Sequence, residues 1–262
     1  MNATLECKAI KINKEGKNIV SEVLVYEKPL TIFLNNKKIA TLLCSPKNLK
    51  ELGVGFLRTE ELITGLDDIE KIDLNEELGI IEIKTKGKEV AMNNFHSKKI
   101  AMEEDIVCYI QDKSKDFLNN INCKKVFSKI TLEENKVYDF MEKNLNYSDT
   151  FKQTGGVHNI ALCDKEKILF AFEDVARHNA LDKVIGFSII NNISLKDKIL
   201  ILSGRVSLEM ILKAAKLEIP IIISKSAPTT LSVSLAKKLN ITLVGFVRGR
   251  KMNIYANEHR IL

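Results

Sequence analysis

A dense group of polar side chains stands between an apolar strand pattern and an apolar helix pattern in the second half of the chain. It reads Phe172-Glu-Asp-Val-Ala-Arg-His-Asn-Ala-Leu-Asp-Lys183, and half of its side chains can ionise. A solvated helix start would explain part of it, because Asp174 or Asn179 could cap the helix. A guanidinium, an imidazole and an amide in succession, at residues 177–179, suit an anionic heterocyclic ligand. We therefore predict a ligand site in this segment.

Further polar segments follow or precede apolar strand patterns. They are Thr154-Gly-Gly-Val-His-Asn159, Leu202-Ser-Gly-Arg-Val-Ser207, Ser224-Lys-Ser-Ala-Pro-Thr-Thr230 and Gly245-Phe-Val-Arg-Gly-Arg-Lys251. Paired glycines let the backbone approach a ligand closely. If the strands are parallel, these loops share one sheet edge, and Arg205, Arg248, Arg250 and Lys251 form a cationic rim for a multiply phosphorylated ligand. The P-loop pattern G-x-x-x-x-G-K-[ST] is absent, so this is a different kind of phosphate site.

The elements that carry these loops alternate from Phe151 onward between short apolar strands and helices. This alternation predicts an α/β layered domain whose sheet is largely parallel, with ligands beyond the carboxyl ends of the strands.

The first part of the chain has a different pattern. Residues 8–45 alternate apolar and polar positions, with a hairpin turn predicted at Asn35-Asn36. A helix is predicted from a Ser45 cap, through Pro46, to about Ile63, followed by strands near 69–74 and 80–85. We therefore divide the chain into an N-terminal α+β domain with a mobile connection at 1–104, a helical linking segment at 105–150 and a C-terminal α/β domain at 151–262.

Composition limits the classes of function. The 262 residues are 45% hydrophobic and 28% charged, as in ordinary globular proteins, and no apolar run has the length of a signal peptide or a membrane span. We expect a cytoplasmic protein with no membrane partner. The net charge is +6, but lysine and glutamate are mixed along the chain, which argues against a nucleic-acid partner.

The five cysteines include no C-x-x-C pair, so free thiols are expected. The H-x-E and P-C-x-x-C motifs that hold zinc in deaminases are also absent. The sequence therefore predicts no metal-ligand set and argues against zinc-dependent deamination.

Several blocks together resemble one known family. They are Glu27-Lys-Pro-Leu-Thr-Ile-Phe-Leu-Asn35, Leu52-Gly-Val-Gly-Phe-Leu-Arg-Thr-Glu60, Thr154-Gly-Gly-Val-His158, Glu173-Asp-Val-Ala-Arg-His-Asn-Ala-Leu-Asp-Lys183, Ser203-Gly-Arg-Val-Ser-Leu-Glu209, Ser226-Ala-Pro-Thr229 and Gly245-Phe-Val-Arg-Gly249. In this order they resemble the FdhD family of formate dehydrogenase accessory sulfurtransferases over essentially the whole chain.

The resemblance implies an accessory factor that takes persulfide sulfur from a cysteine desulfurase. The sulfur goes to the molybdenum bis-pterin guanine dinucleotide cofactor before that cofactor enters the catalytic subunit of formate dehydrogenase. It also implies a cytidine deaminase-like fold for the C-terminal domain and a homodimer. The residues that match the family's cofactor-binding segment are Phe246, Val247, Arg248, Gly249, Arg250 and Lys251, and those that match positions near the pocket are Gly155, His158, Arg177, His178, Asn179 and Arg205.

The sulfur-bearing cysteine is the point at which the sequence departs from the family. The family's cysteine-rich loop falls after Lys98-Lys-Ile100, where this chain has Ala101-Met-Glu-Glu-Asp-Ile-Val-Cys108. Cys108 is the nearest candidate nucleophile, although acidic neighbours disfavour a thiolate and apolar neighbours suit a buried thiol. Two alternatives stay open: a non-catalytic cofactor-binding chaperone, and a generic nucleotide-binding protein unrelated to molybdenum.

Overall fold

Three β-sheets and six α-helices are formed by the residues that the computed structural model describes, namely 3–87, 121 and 123–262. The strands are β1 Thr4–Asn13, β2 Gly16–Val25, β3 Lys28–Leu34, β4 Lys37–Cys44, β5 Ile69–Asn75, β6 Ile80–Thr85, β7 His158–Cys163, β8 Ile168–Asp174, β9 Ile199–Leu202, β10 Ile221–Ser224, β11 Thr242–Arg248 and β12 Lys251–Ala256. The helices are α1 Leu49–Thr59, α2 Glu134–Asn146, α3 Asp149–Thr154, α4 Arg177–Ile190, α5 Leu208–Lys216 and α6 Thr230–Lys238. None of the described helices combines the length and apolarity needed to span a bilayer.

The N-terminal strands form two sheets. β1 and β2 pair along their full length as an antiparallel ribbon, and β4-β3-β6-β5 form a four-stranded sheet. The predicted hairpin turn is confirmed, because Asn35 and Asn36 join β3 to β4 with φ values of 49° and 66°. Asparagine tolerates this left-handed conformation, which such tight hairpins require.

Helix α1, which the sequence predicts, packs on the four-stranded sheet, but it begins later than Ser45 and Pro46 suggest. Its N-cap is Asn48 in a left-handed conformation, and the first helical residue is Leu49. The predicted cap, Ser45, is buried and bonds elsewhere: its N–H donates to Asp174 Oδ2, and its hydroxyl accepts from the N–H of Val175. A long-range contact therefore overrides the local capping preference of Ser45.

The C-terminal strands form one mixed sheet in the order β12-β11-β10-β9-β7-β8. The prediction of a largely parallel sheet is wrong, because only the neighbouring pairs β9–β10 and β10–β11 are parallel, whereas β7 and β12 are antiparallel to their neighbours. The physical reason is the short connections within the β7–β8 and β11–β12 pairs. A parallel neighbour needs a crossover of a dozen or more residues, whereas a short turn produces a hairpin.

Helices cover both faces of this sheet, because successive strand residues point to opposite sides. Leu200, Leu202 and Ile222 pack against α4, α5 and α6 on one face. Ile199, Ile201 and Ile223 pack against Val137 and other residues of α2 on the other face. The alternation therefore produces a three-layer α/β arrangement with an apolar core on each side.

The part of the predicted linking segment 105–150 that the structure describes is helical only from Glu134. Residues 123–133 form no helix and run along the C-terminal part, where the N–H of Val126 donates to Leu239 O at the end of α6 and the N–H of Leu132 donates to Arg260 O after β12. Residues 88–120, which include most of the predicted mobile connection, lie outside the described residues. The division at 104 and 150 stays a prediction.

Two helices join the N-terminal part to the C-terminal part at close range. A Cβ atom added to Gly55 of α1 would lie 1.8 Å from Asp182 O of α4, and one added to Gly186 would lie 1.8 Å from Glu51 O. Only glycine allows two helix backbones to approach this closely. The crossing fixes α4, whose N-terminus carries Arg177 and His178.

Candidate functional site

The loops after β9, β10 and β11 meet at one sheet edge. The N–H of Val206 donates to Ala227 O, and the N–H of Phe246 donates to Ser226 O, so the loop after β10 is bonded both to the loop after β9 and to the last residues of β11. The start of β7 lies at the same edge, because Ser203 N–H donates to Asn159 O. The predicted convergence of these loops is therefore confirmed, even though the sheet is mixed.

Two cavities open at this edge. The first, which we call the histidine cavity, has a volume of about 240 Å³ and is lined by Gly155, His158, Ser203 and Ser226, among others. The second, which we call the helix cavity, has a volume of about 530 Å³ and lies between α2 and the β11–β12 turn. Lys225 and Arg248 line both cavities, so the two form one cleft with a cationic junction.

Four residues of the predicted binding segment 246–251 line this cleft, whereas Phe246 and Lys251 line neither cavity. Val247, Arg248, Gly249 and Arg250 line the helix cavity, and Arg250 Nη1 donates to Asn135 Oδ1 of α2 at 2.9 Å. Phe246 has φ 54°, a left-handed conformation that costs a bulky residue about 1–3 kcal/mol. Its ring is half-exposed and lies 5.5 Å from Arg248 Cζ, a cation–π contact. Backbone strain of this kind is typical of ligand-binding loops.

A second group of predicted residues lies beside the histidine cavity. Burial lowers the pKa of His158, and the charges of Arg177 and Arg205 lower it further. Burial is also the main reason that the pKa of His178 is lowered, although Glu209, whose Oε1 lies 3.3 Å from His178 Nδ1, opposes the shift. Both imidazoles are therefore neutral at pH 7, and the two arginines supply the positive charge.

This group also has unused hydrogen-bonding capacity. Two buried atoms have no hydrogen-bond partner among the described residues. They are Nε of Arg177, the first residue of α4, and Oγ of Ser207, the N-cap of α5. Within the same part of the chain, neither Arg177 nor Arg205 forms an ion pair. Buried donors are normally satisfied, and a helix N-terminus next to guanidinium groups favours an anion. The donor set therefore fits a phosphorylated ligand.

Asn179 lies apart from the two cavities. Its amide NH₂ group donates to Leu43 O at 2.8 Å and to Asp174 Oδ1 at 3.0 Å. Asp174 is fully buried, and its Oδ2 lies 2.6 Å from Lys183 Nζ. These contacts connect the end of β4 to the loop that leads into α4. The structure thus places Asn179 and Asp174 where they position Arg177 and His178, and the prediction that Asn179 contacts a ligand stays a prediction.

The predicted nucleophile, Cys108, lies outside the described residues. Burial raises the pKa of Cys44 to about 12, and it also raises the pKa of Cys163 and of half-buried Cys123. Cys7 is exposed on the β1–β2 ribbon. A raised pKa reduces the thiolate fraction, so Cys44, Cys123 and Cys163 are poorly suited to attack a persulfide. Within the described ranges, no group of three or more His, Cys, Asp or Glu residues is arranged to hold a metal ion.

Two contributors to the cleft were not predicted individually from the sequence. Lys225 lies in the predicted loop 224–230, directly after β10, but the predicted rim of cations did not include it. Helix α2 contributes Tyr138, Asp139 and Glu142 to the helix cavity. No local signal could have revealed them, because α2 reaches the cleft only by packing on the face opposite α4, α5 and α6.

The fold and the cleft define a class of layered α/β proteins with a cationic cleft at one end of the central sheet. Comparison with known proteins gives the family: residues 25–262 match the FdhD/NarQ family. The chain therefore belongs to the FdhD/NarQ family, and the resemblance inferred from the sequence blocks is confirmed.

Individual relatives agree with this assignment. The chain is 40% identical over 242 residues to the sulfur carrier protein FdhD of Bacillus pumilus (strain SAFR-032), covering 92% of this chain and 91% of that protein. It is 38% identical over 243 residues to the sulfur carrier protein FdhD of Bacillus subtilis (strain 168), with the same coverage of both chains. A crystal structure described as a formate dehydrogenase accessory protein from Desulfotalea psychrophila matches with a TM-score of 0.80 and 27% identity, over 100% of both chains.

Proposed function

We propose that this protein is a sulfur carrier for the maturation of formate dehydrogenase. In this proposal it holds the molybdenum bis-pterin guanine dinucleotide as cargo in the strand-end cleft and delivers sulfur to it in the cytoplasm. Family membership and the names of the relatives support the carrier role. The observation that carries the binding role is the pair of adjoining cavities with Lys225 and Arg248 at their junction.

The cleft suits this cargo in charge and in shape. A dinucleotide cofactor combines planar ring systems with a diphosphate, and cations at a junction between two cavities would hold the diphosphate while the rings extend to either side. Arg177, Arg205 and the N-terminus of α5 would add donors beside the histidine cavity. In these terms, Phe246 would present its ring to the cargo at the rim.

The sulfur-transfer step requires a thiol that can carry a persulfide. The thiolate of Cys108 would attack the outer sulfur of a persulfide on a cysteine desulfurase, forming a Cys108 persulfide and releasing the desulfurase thiolate. The raised pKa values of Cys44, Cys123 and Cys163 support this choice indirectly, since they leave Cys7 and Cys108 as the better candidates. The rival proposal is a cofactor-binding chaperone that carries no sulfur and only presents the cargo to formate dehydrogenase.

Intact-protein mass spectrometry separates the two proposals. We expect wild-type protein, incubated with a cysteine desulfurase and cysteine, to gain 1 sulfur that reduction removes; this is about 32 Da for one transferred atom. Cys108→Ala should abolish the gain, whereas Cys123→Ala and Cys7→Ala should keep it. If an active, matched desulfurase leaves every cysteine unmodified, the carrier role fails and the chaperone becomes the better account.

We also propose a homodimer, which the family resemblance implies. The β1–β2 ribbon exposes Ile10, Ile12 and Ile19, which are 68%, 69% and 78% accessible. An isolated two-stranded ribbon is marginally stable in water, so cover from a second copy would stabilise it. Light scattering after size exclusion should give a dimer for the wild type and a shift towards monomer for the triple Ile→Thr variant. A wild-type monomer at micromolar concentration would contradict the proposal.

The cytidine deaminase-like layering of the C-terminal part remains a proposal as well. The central sheet with helices on both faces, and with β7 antiparallel to β9, supports it. Superposition of this sheet and its two helix layers on a cytidine deaminase would test it.

A further inference from the structure

A third cavity lies on the face of the C-terminal sheet away from the histidine cavity. It has a volume of about 260 Å³ and lies at β8, the edge strand of that sheet, beside the residues before α1 and the turn between α2 and α3. We call it the β8 cavity. His158 and Asn159 are successive residues of β7, so their side chains point to opposite faces of the sheet. The first lines the histidine cavity and the second lines the β8 cavity, which makes the two cavities separate sites.

Small side chains create the space of the β8 cavity. Ala161 of β7 and Ala171 of β8 are directly opposite each other in the antiparallel pair, so both methyl groups point to the same face of the sheet. The next pair on that face is Asn159 and Glu173. Two opposed alanines leave room above the strands, and the side chains of Asn159 and Glu173 stand at the border of that room.

Asn159 brings an unused hydrogen-bond acceptor to this border. The residue is 3% exposed, and its amide NH₂ group donates to Asn144 O at 2.7 Å and to Asn144 Oδ1 at 2.8 Å. Oδ1 of Asn159 is buried and has no partner among the residues that the structure describes. Asn159 lines the cavity and Asn144 does not, so Oδ1 is the polar atom of this amide on the cavity side. Because buried acceptors are normally satisfied, this one indicates a ligand that donates a hydrogen bond.

Glu173 adds a carboxylate without a counter-ion next to this acceptor. Its Oε1 accepts from the Thr150 hydroxyl at 2.5 Å, and its Oε2 accepts from the Ser148 hydroxyl. Lys183 donates to the backbone O of Glu173, but its charge is paired with Asp174. Across the described ranges, no cation forms an ion pair with the Glu173 carboxylate. A carboxylate can accept about four hydrogen bonds, so Glu173 and Asn159 together suit an ammonium group, which has three donors.

The opposite charge is supplied at the start of α1. Lys47 lines the cavity, is exposed and forms no ion pair within the described part of the chain. Asn48, the N-cap of α1, makes no side-chain hydrogen bond to the helix, so the N–H groups of the first turn can still bind an anion. The remaining charged residue of the lining, Asp149, is paired with Lys152 at 3.2 Å. The cavity therefore holds an uncompensated charge of each sign.

We propose that the β8 cavity binds a free α-amino acid. The ammonium group donates to Glu173 and to Oδ1 of Asn159, and the carboxylate group contacts Lys47 and the N-terminus of α1. A water molecule could satisfy Asn159, but it would compensate neither charge. The volume is below the range of drug-sized ligands and suits a molecule of this size. This function is additional to the proposed cargo binding, because the amino acid contacts no residue of the cationic cleft.

Titration calorimetry on the full-length protein tests the proposal. The probes are glycine, L-alanine and L-leucine, together with ethylamine and propionate, which match L-alanine without its carboxylate and without its ammonium group. We expect at least one of the amino acids to bind with a dissociation constant of about 1 mM or lower. Ethylamine and propionate should bind at least about tenfold more weakly than L-alanine, because each lacks one charge-assisted contact.

Two variants assign the binding to this cavity. Glu173→Gln keeps the shape of the side chain and removes its charge, and Lys47→Met removes an exposed charge on which the fold does not depend. Each should weaken amino-acid binding by at least about tenfold. The matched controls Glu70→Gln and Lys50→Met change exposed residues that do not line the cavity, and their affinities should stay within about threefold of wild type. Equal urea midpoints for Lys47→Met and wild type would show that the loss is not a loss of folding.

Three results would overturn the proposal. If none of the three amino acids binds at about 10 mM, the cavity is not an amino-acid site. If ethylamine or propionate binds as tightly as L-alanine, the ligand class is wrong. If both Glu173→Gln and Lys47→Met bind amino acids as tightly as wild type does, the amino acid binds elsewhere on the protein. None of these results bears on the cationic cleft or on sulfur transfer.

Discussion

At the scale of single residues, the cleft combines permanent cations with neutral imidazoles. Burial and nearby arginines lower the pKa of His158, and burial lowers that of His178. An arginine side chain carries a permanent positive charge, so the positive charge of the cleft does not depend on the histidines. The two histidines are therefore neutral hydrogen-bonding groups, and their surroundings disfavour protonation.

The lowered pKa values of His158 and His178 predict that stability depends on pH. Both histidines have folded-state pKa values below the ordinary 6.5, so the unfolded chain binds protons more readily as the pH falls below that value. The free energy of unfolding is therefore highest above pH 6.5 and decreases as the pH falls below that value. Urea unfolding between pH 8 and pH 5.5 should show a steeper loss for the wild type than for the variant His158→Asn/His178→Gln. The exposed His259→Gln control should follow the wild type, and equal slopes for all three proteins would contradict the assignment.

At the scale of elements, the crossing of α1 and α4 determines where the site residues stand. Glycine is a poor helix former, yet α1 contains both Gly53 and Gly55. A Cβ on Gly53 would lie 2.7 Å from Ile81 of the N-terminal sheet, and one on Gly55 would meet the backbone of α4. The two glycines thus let one helix pack closely on both sides. Glycine at these two positions lowers the intrinsic helix propensity of α1, but it permits both close contacts.

Substitution at this crossing should be strongly destabilising. In Gly55→Ala or Gly186→Ala, the new methyl group would lie 1.8 Å from a backbone carbonyl oxygen that cannot rotate away. We expect a loss of about 3 kcal/mol or more in the free energy of unfolding, at the upper end for overpacking, despite the better helix propensity of alanine. Gly65→Ala, where nothing lies within 4 Å of the added Cβ, should change stability by less than about 0.5 kcal/mol. Similar unfolding midpoints for Gly55→Ala and Gly65→Ala would show that the helices can separate freely.

At the scale of the whole molecule, buried charges connect the N-terminal part to the C-terminal part. Lys213 Nζ of α5 lies 2.8 Å from both carboxylate oxygens of Asp182 in α4, and Thr59 at the end of α1 donates to the same carboxylate. Burial by itself lowers the pKa of Lys213, but the adjacent Asp182 carboxylate outweighs it, so the net pKa is raised and the ammonium group is charged. Three helices from both parts of the chain therefore share one ion pair.

Removing one partner of this pair should destabilise the whole molecule. Lys213→Met leaves the Asp182 carboxylate buried without a counter-ion, for which we expect a loss of about 3–5 kcal/mol in urea unfolding. Lys196→Met, which removes an exposed ion pair with Glu218, should cost less than about 1 kcal/mol. The double variant Lys213→Met/Asp182→Leu should recover part of the loss, since no buried charge remains. A loss for Lys213→Met no larger than that for the surface control would mean that water reaches the Asp182 carboxylate.

The local features and the family could be predicted from the amino-acid sequence. Alternating apolar residues indicated the strands, Asn35-Asn36 indicated the hairpin turn, and the ordered blocks from Glu27 to Gly249 indicated the FdhD family. These signals are local because side-chain periodicity and turn conformation depend on neighbours along the chain.

The tertiary structure alone decided which of the polar segments share a site. It set the directions of β7 and β12, moved Ser45 from a helix cap to a contact with Asp174, and brought α2 to the cleft opposite Lys225. These outcomes depend on which apolar faces bury one another and on which buried polar groups find partners, and both conditions join residues far apart in the chain. For that reason the sequence does not identify Asp139 and Glu142 as cavity-lining residues, although they line the same cavity as the predicted Arg248.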